Sequence, residues 1–271
     1  MQLNVTGWRF FFKKFSCITL FFLFLYLFFV SVLLLLWLVN QCVCPIIENM
    51  NTERQGSGVT AHLLHLTWVV VQAILIMWGG LALFAVLFAP SMLYQPPHPQ
   101  YKNSPSLLSL ETSEGDTIKA VYKKRRGAKF TVIISHGNAE DLGTLAFLID
   151  DFYKKGYSVM AYDYPGYGHS SGKASERSTY AAADAVYQYL LQHKVRAKQI
   201  LVFGRSMGSG MAYYMAAKYP VAGMIVEGGF ISAFRVMTHV ALLPFDYYDN
   251  LPLVAAIRCP VLLIHARDDE V

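Results

Sequence analysis

The chain has 271 residues, of which 55% are hydrophobic and 15% charged, and its mean hydropathy of +0.36 is too apolar for an ordinary soluble protein. The formal net charge of +5 is modest, and the basic residues are scattered apart from the cluster Lys123–Arg126, which argues against nucleic-acid binding. The four cysteines show neither a metal-binding spacing nor a disulfide framework, so no metal or organic cofactor is expected.

Two long apolar runs without a charged residue predict a membrane anchor over residues 1–90. The first run covers 15–39 and the second covers 66–89, and roughly 20 apolar residues suffice to cross a bilayer. A signal peptide is the alternative for the first run, although its apolar region is usually about 7–15 residues long. A buried helix of the globular domain is the alternative for the second. Basic residues precede the first run and follow the second, so the positive-inside rule predicts a hairpin with both ends in the cytoplasm.

Residues 91–106 are rich in Pro, Ser and Tyr, which predicts a linker, and the soluble domain is expected over 107–271. Its first two strands form a predicted hairpin. Strand patterns then alternate with helical ones, which predicts an α/β fold with a mainly parallel sheet and helices on both faces. The hairpin strands lie at 107–111 and 117–122, the later strands at 130–134, 157–162, 200–203, 223–226 and 261–264, and the helical patterns near 142–152, 183–191 and 209–219.

The stretch Gly204-Arg205-Ser206-Met207-Gly208 lies between a predicted strand and a predicted helix. A G-x-S-x-G sequence in that context is typical of a nucleophile elbow, in which glycines permit a tight turn that exposes the serine hydroxyl. The helix N-terminus then directs its N–H groups toward a developing oxyanion. On these five residues alone, a glycine-rich connection with a bystander serine is an equal alternative.

Four motifs together resemble the α/β-hydrolase superfamily over residues 107–271. The resemblance is greatest to a membrane-anchored branch that includes protein depalmitoylases, close to the serine-aminopeptidase-like hydrolases. It implies an α/β-hydrolase fold and says much less about the substrate. The motifs are His136–Ala139, Asp163–Gly168, Gly204–Gly208 and His265–Asp269.

The resemblance implies a set of site residues. Ser206 is the nucleophile, and Asp269 is the acid of the catalytic triad. The oxyanion hole uses the backbone N–H groups of Met207 and Asn138. His136 is a candidate base, but a histidine at this place in the family shapes the oxyanion loop, and we favour that role.

The family places its catalytic histidine on a loop after one more strand, and no such histidine occurs in this sequence. His239 and His265 follow Ser206, but His265 belongs to the strand end that carries the acid, and His239 lies in the insert 230–257, where the family places a cap. We therefore expect the chain to be truncated at its C-terminal end and inactive as given. The strand 261–264 is then expected to be an exposed apolar edge of the sheet, which would make the domain poorly stable.

The leading hypothesis is a membrane-anchored serine hydrolase that cleaves acyl ester or thioester bonds through an acyl-enzyme, with its hydrolase domain in the cytoplasm. Its expected partners are the lipid bilayer and an acyl-bearing small molecule, lipid or lipidated protein. The alternatives are a non-catalytic membrane scaffold or binding protein on a hydrolase fold, and a peptidase of the serine-aminopeptidase-like type.

The aromatic insert 230–257 either covers an acyl site or is a packed connector. Tyr164 and Tyr167 are expected to pack the loop rather than take part in chemistry.

Reporter fusions test the predicted membrane hairpin. A fusion at Asn51 should report an external location and a fusion after Lys102 a cytoplasmic one, because basic residues flank the two outer ends of the predicted spans. A cytoplasmic signal at Asn51, or an external signal after Lys102, would contradict the two-span arrangement.

Overall fold

The computed structural model describes residues 58–238 and 240–267, together with four positions of the first apolar run, 26, 30, 31 and 37. The chain divides into two compact units, Met1–Met92 and Leu93–Val271. The four isolated positions are helical, and the remainder of the predicted span 15–39 lies outside the described residues. The first of the two predicted membrane helices therefore stays a prediction.

Helix α1 (Gly58–Leu93) contains the second predicted span. Its segment Leu63–Leu93 has 31 residues with a hydropathy of 2.3, and 6% of its apolar window is buried. Within the described part of the chain, it is the one helix long and apolar enough to cross a membrane. The helix continues through Pro90 and ends later than predicted. A proline in the last turn removes few intrahelical hydrogen bonds, and Ser91 Oγ donates to the Phe88 carbonyl at 2.8 Å in that turn.

The second unit contains a seven-stranded sheet. Its strands, in chain order, are β1 (Leu108–Glu111), β2 (Thr117–Lys123), β3 (Thr131–Ser135), β4 (Ser158–Tyr162), β5 (Ile200–Arg205), β6 (Gly223–Glu227) and β7 (Val261–Ile264). Their order across the sheet is β1-β2-β4-β3-β5-β6-β7. The hairpin β1–β2 and the pair β2–β4 are antiparallel, and all other neighbours are parallel. The predicted strands and the mainly parallel sheet are confirmed.

Helices lie against both faces of this sheet. They are α2 (Ala146–Lys154), α3 (Glu176–Gln192), α4 (Gly208–Lys218), α5 (Ala233–Thr238) and α6 (Leu251–Val254). Side chains of β3 alternate between two cores: Ile133 packs with residues of α3 and α4, whereas Val132 and Ile134 pack with residues of α2. Every residue of β3 and β4 is buried, as expected for central strands that are covered on both faces.

Among the described residues, strand β7 is the outermost strand on its side of the sheet and pairs with β6 alone. Its four apolar side chains are 46–63% exposed. This confirms the expected exposed apolar edge. A strand with unpaired backbone groups and apolar side chains at a sheet edge is a site where other chains can add.

Candidate active site

Ser206 lies at the turn between β5 and α4, with a backbone φ of +50°. Few residues other than glycine adopt this left-handed region, and holding one there costs about 1–3 kcal/mol. The surrounding structure holds the turn in place, because Ser206 N–H donates to the Glu227 carbonyl of the neighbouring strand at 2.8 Å. The conformation is that of the nucleophile elbow that the sequence predicts.

The two glycines of the elbow allow close backbone approaches. A Cβ at Gly208 would collide with the Ser135 carbonyl oxygen and would lie 2.7 Å from the His136 carbonyl oxygen. A Cβ at Gly204 would lie 2.7 Å from the backbone of residues 208 and 209. Both obstacles are backbone atoms of the sheet or the elbow, so they cannot rotate away as a side chain would.

The loop after β3, residues 136–141, lies beside the elbow and is called the oxyanion loop below. Parallel pairing places Ser135, the last residue of β3, opposite Gly204 of β5. A Cβ at Gly137 would be 3.7 Å from the Cβ of Ser206, so the loop and the candidate nucleophile are close neighbours. Among the described residues, no hydrogen bond uses the backbone N–H of Asn138 or Met207. The structure thus brings Ser206, Asn138 and Met207 together.

His136 is completely buried. Its Nδ1 lies 2.8 Å from the Gly137 carbonyl oxygen, and its Nε2 lies 3.4 Å from Asp163 Oδ1. Within the described residues, no histidine ring forms a hydrogen bond with the Ser206 hydroxyl. These contacts favour a role for His136 in shaping the oxyanion loop, as the resemblance implies.

Buried tyrosines hold the oxyanion loop. The Tyr164 hydroxyl donates to the His136 carbonyl at 2.7 Å, and the Tyr167 hydroxyl donates to Asn138 Oδ1 at 2.6 Å. Burial raises the pKa of both tyrosines above the ordinary value, so their hydroxyls remain protonated donors at neutral pH. Both residues lie in the interior and support the loop.

Residues 94–101, within the predicted linker 91–106, form a strap across the same loop. Gln95 N–H donates to Asn138 Oδ1 at 2.8 Å, and Gln100 N–H donates to Asp141 Oδ2 at 2.6 Å. The sequence reasoning missed these contacts, because a segment rich in proline gives no periodic signal. The Asn138 side chain is therefore held from two directions, by the strap and by a tyrosine.

The insert 230–257 is anchored by Tyr248, which is completely buried. Its hydroxyl is 2.9 Å from the Tyr94 hydroxyl and 2.8 Å from Thr179 Oγ1. A Cβ at Gly210 would lie 2.7 Å from the Tyr248 ring, so only glycine at this position of α4 lets the ring reach the elbow helix. This part of the insert is a packed connector.

Another part of the insert lines an apolar cavity of about 310 Å³ at the carboxyl ends of β6 and β7. The lining side chains include Phe230, Ile231, Leu251 and Val254 from the insert, and Val226, Leu263 and Ile264 from the strands. Val226 directly precedes Glu227, whose carbonyl holds the elbow. The insert therefore includes a packed connector and also lines an apolar cavity, and its covering of an acyl site stays a prediction.

Two residues named in the sequence analysis, Asp269 and His239, lie outside the described residues. The assignment of Asp269 as the triad acid stays a prediction. His265 lies directly after β7, and its side chain is exposed and borders the apolar cavity.

The chain shows similarity to known hydrolases. A family model described as serine aminopeptidase, S33, matches residues 126–243. Alpha/beta hydrolase domain-containing protein 17C of Xenopus tropicalis is 30% identical over 212 residues, which cover 68% of each chain. The chain belongs to the same family of α/β-hydrolases as this 17C protein. The 17B protein of the same species is 35% identical over 165 residues, so this α/β-hydrolase spans 57% of the length of that relative.

A solved structure supports the same fold. An esterase of Pyrococcus furiosus superposes on this α/β-hydrolase with a TM-score of 0.55 and 21% identity. The match covers 66% of this chain and 78% of the esterase. At this identity the likeness shows the fold alone.

Substitution of Gly208 tests the close approach at the elbow. Gly208→Ala should destabilise the domain by about 1–3 kcal/mol, because the new methyl group overpacks against fixed backbone atoms. Gly79→Ala is the control, since nothing lies within 4 Å of a Cβ at that position of α1. Thermal melts of both variants in detergent measure the difference. A melting temperature of Gly208→Ala equal to that of the parent chain would contradict the described geometry.

Proposed function

We propose that this α/β-hydrolase is a membrane-anchored serine hydrolase that cleaves acyl ester or thioester bonds. The observation that carries the proposal is Ser206 in a strained left-handed conformation beside two backbone N–H groups that bond to none of the described residues. Strain of this kind is retained where the surrounding structure over-determines it, and it is concentrated at reactive sites.

The chemistry follows from this geometry. Ser206 Oγ attacks the acyl carbon while a base removes its proton, and the carbonyl oxygen becomes an oxyanion. The N–H groups of Asn138 and Met207 donate to that oxyanion, and loss of one such donor typically costs about 2.7–4 kcal/mol. The leaving alcohol or thiol takes the proton, which gives an acyl-enzyme that water hydrolyses to the free acid. We assign Asp269 to orient a histidine base whose identity stays open.

The apolar cavity supports an acyl substrate. Ligand sites for small molecules usually have volumes of about 300–1,000 Å³ and mainly apolar walls. The cavity beside β6 meets both criteria, with a volume of about 310 Å³ and predominantly aliphatic and aromatic lining. Its lining residue Val226 directly precedes Glu227, whose carbonyl accepts the hydrogen bond of the Ser206 N–H, so the cavity lies at the end of the strand that pairs with the elbow strand β5.

Helix α1 supports attachment to a membrane. The segment Leu63–Leu93 suffices for one span, and the chain runs from Leu93 directly into the strap over the oxyanion loop. A lipid or a lipidated protein is then the natural acyl donor, in keeping with the resemblance to protein depalmitoylases. The positive-inside rule predicts that the hydrolase unit lies in the cytoplasm.

Covalent labelling tests the nucleophile. Ser206→Ala should abolish labelling by a fluorophosphonate probe in a version of the protein that supplies the histidine base, because the probe needs an activated serine hydroxyl. Ser209→Ala is the matched control from the next turn. Its hydroxyl is buried and has no hydrogen-bond partner among the described residues, so its removal should leave labelling unchanged.

Two outcomes of the labelling experiment would count against the proposal. Equal labelling of Ser206→Ala and the parent chain would show that another nucleophile reacts. No labelling of a folded version that supplies the histidine base would favour the non-catalytic scaffold, in which the hydrolase fold serves for binding alone.

A cavity-filling substitution tests the acyl site. Leu251→Trp should lower hydrolysis of a long-chain thioester relative to a short-chain one by about tenfold, the effect of excluding roughly two methylene groups at ~0.8 kcal/mol each. Val240→Trp is the matched control, because Val240 belongs to the same insert, is equally exposed and does not line the cavity. An equal loss on both substrates, or the same chain-length effect in both variants, would remove the cavity from the substrate site.

A further inference from the structure

Three charged side chains form a network beside Ser206. Arg205 comes from the elbow, Glu140 from the oxyanion loop and Glu227 from the end of β6. Arg205 Nη1 lies 3.1 Å from Glu140 Oε1, and Arg205 Nε lies 3.2 Å from Glu227 Oε2. All three side chains are partly buried, with exposed fractions of 32% for Arg205, 25% for Glu140 and 39% for Glu227. The guanidinium thus joins two carboxylates on either side of the elbow.

The second oxygen of Glu140 binds the backbone of its own loop. Gly137 N–H donates to Glu140 Oε2 at 2.7 Å, and Glu140 N–H donates to the Gly137 carbonyl oxygen at 3.3 Å. A Cβ at Gly137 would lie 3.0 Å from Glu140 Oε2 and 3.7 Å from Ser206 Cβ, so this carboxylate is close to the candidate nucleophile. Glu140 therefore connects the oxyanion loop to the elbow through Arg205.

These contacts determine the direction of the Asn138 N–H. The Gly137 carbonyl and the Asn138 N–H belong to one planar trans peptide and point in opposite directions. His136 Nδ1 and Glu140 N–H hold the Gly137 carbonyl, at 2.8 Å and 3.3 Å. Fixing that carbonyl fixes the opposite N–H, which the proposed function assigns to the oxyanion hole.

The charges of the network also matter. Without the guanidinium, the carboxylates of Glu140 and Glu227 would lie uncompensated near the point where negative charge develops on the substrate. Nearby like charges disfavour such an anion, and a partly buried site screens them less than bulk water does. Arg205 compensates one of the two charges and lets Glu140 approach the loop.

We infer that Glu140 and Arg205 are positioning residues that lock the oxyanion loop to the nucleophile elbow, with Glu227 holding Arg205 from the other side. The claim that this contact assists catalysis rests on the proposed function. The lock itself is a property of the loop and can be measured without activity.

Hydrogen exchange of the 271-residue chain in detergent micelles tests the lock. Glu140→Gln and Arg205→Gln should each accelerate exchange of amides in a peptide covering 136–142 by about tenfold, because a charge-assisted hydrogen bond that holds the loop is weakened. The double variant should exchange no faster than the faster single variant, since either change opens the same lock. Arg205→Lys keeps the charge without the forked geometry and should give an intermediate rate.

An ion pair away from the site serves as the control. Arg177 Nε lies 2.8 Å from Glu114 Oε2, and Arg177→Gln should leave exchange in the 136–142 peptide at the parent rate. Unchanged exchange in Glu140→Gln or Arg205→Gln would overturn the lock. Multiplicative effects in the double variant, or acceleration spread equally over peptides of β3 and β5, would also overturn it, because they indicate independent contacts or loss of global stability.

Labelling by the fluorophosphonate probe separates the lock from the function. A parent chain that labels should label more slowly in Glu140→Gln and Arg205→Gln, with melting temperatures like that of the Arg177→Gln control. Labelling at the parent rate with accelerated exchange would overturn the catalytic meaning of the lock. Absence of labelling in a folded version that supplies the histidine base rejects the proposed function, while the exchange rates still decide whether Glu140 and Arg205 hold the loop.

Discussion

The approach of Gly208 to the end of β3 is the constraint on which the site depends. Because a Cβ at this position would collide with the Ser135 carbonyl oxygen, the first turn of α4 can lie against the strand only through glycine. In the same turn Ser206 adopts the left-handed region and lies beside Gly137. The nucleophile and the oxyanion loop are therefore placed by the same backbone contact.

The oxyanion loop depends on hydrogen bonds from elements distant in sequence. Tyr164 and Tyr167 donate to it from the loop after β4, and the strap donates through the backbone N–H of Gln95. Burial raises the pKa of both tyrosines, so their hydroxyls act as fixed donors rather than as bases. An interior built from such donors holds the loop rigidly, which favours preorganised stabilisation of an oxyanion.

The centre of the sheet and its β7 edge differ in how they are covered. Strands β3 and β4 are buried throughout, whereas every side chain of β7 is exposed. The apolar cavity lies at this less covered end, between the insert and the carboxyl ends of β6 and β7. The same apolar surface that leaves β7 exposed thus forms one wall of the proposed acyl site.

The sequence by itself determined the strands, the three longest helices of the hydrolase unit, the elbow and the order of the sheet motifs, because apolar periodicity and the glycines around Ser206 are local signals. It also indicated the exposed edge at β7. It did not indicate the short helices α5 and α6 of the insert. The tertiary structure alone decided that Glu140 meets Arg205, that Tyr248 packs on Gly210 and that the strap holds Asn138. These pairs are separated by 38 to 65 residues along the chain, and no periodic pattern encodes a contact that forms only when the parallel strands bring their carboxyl ends together.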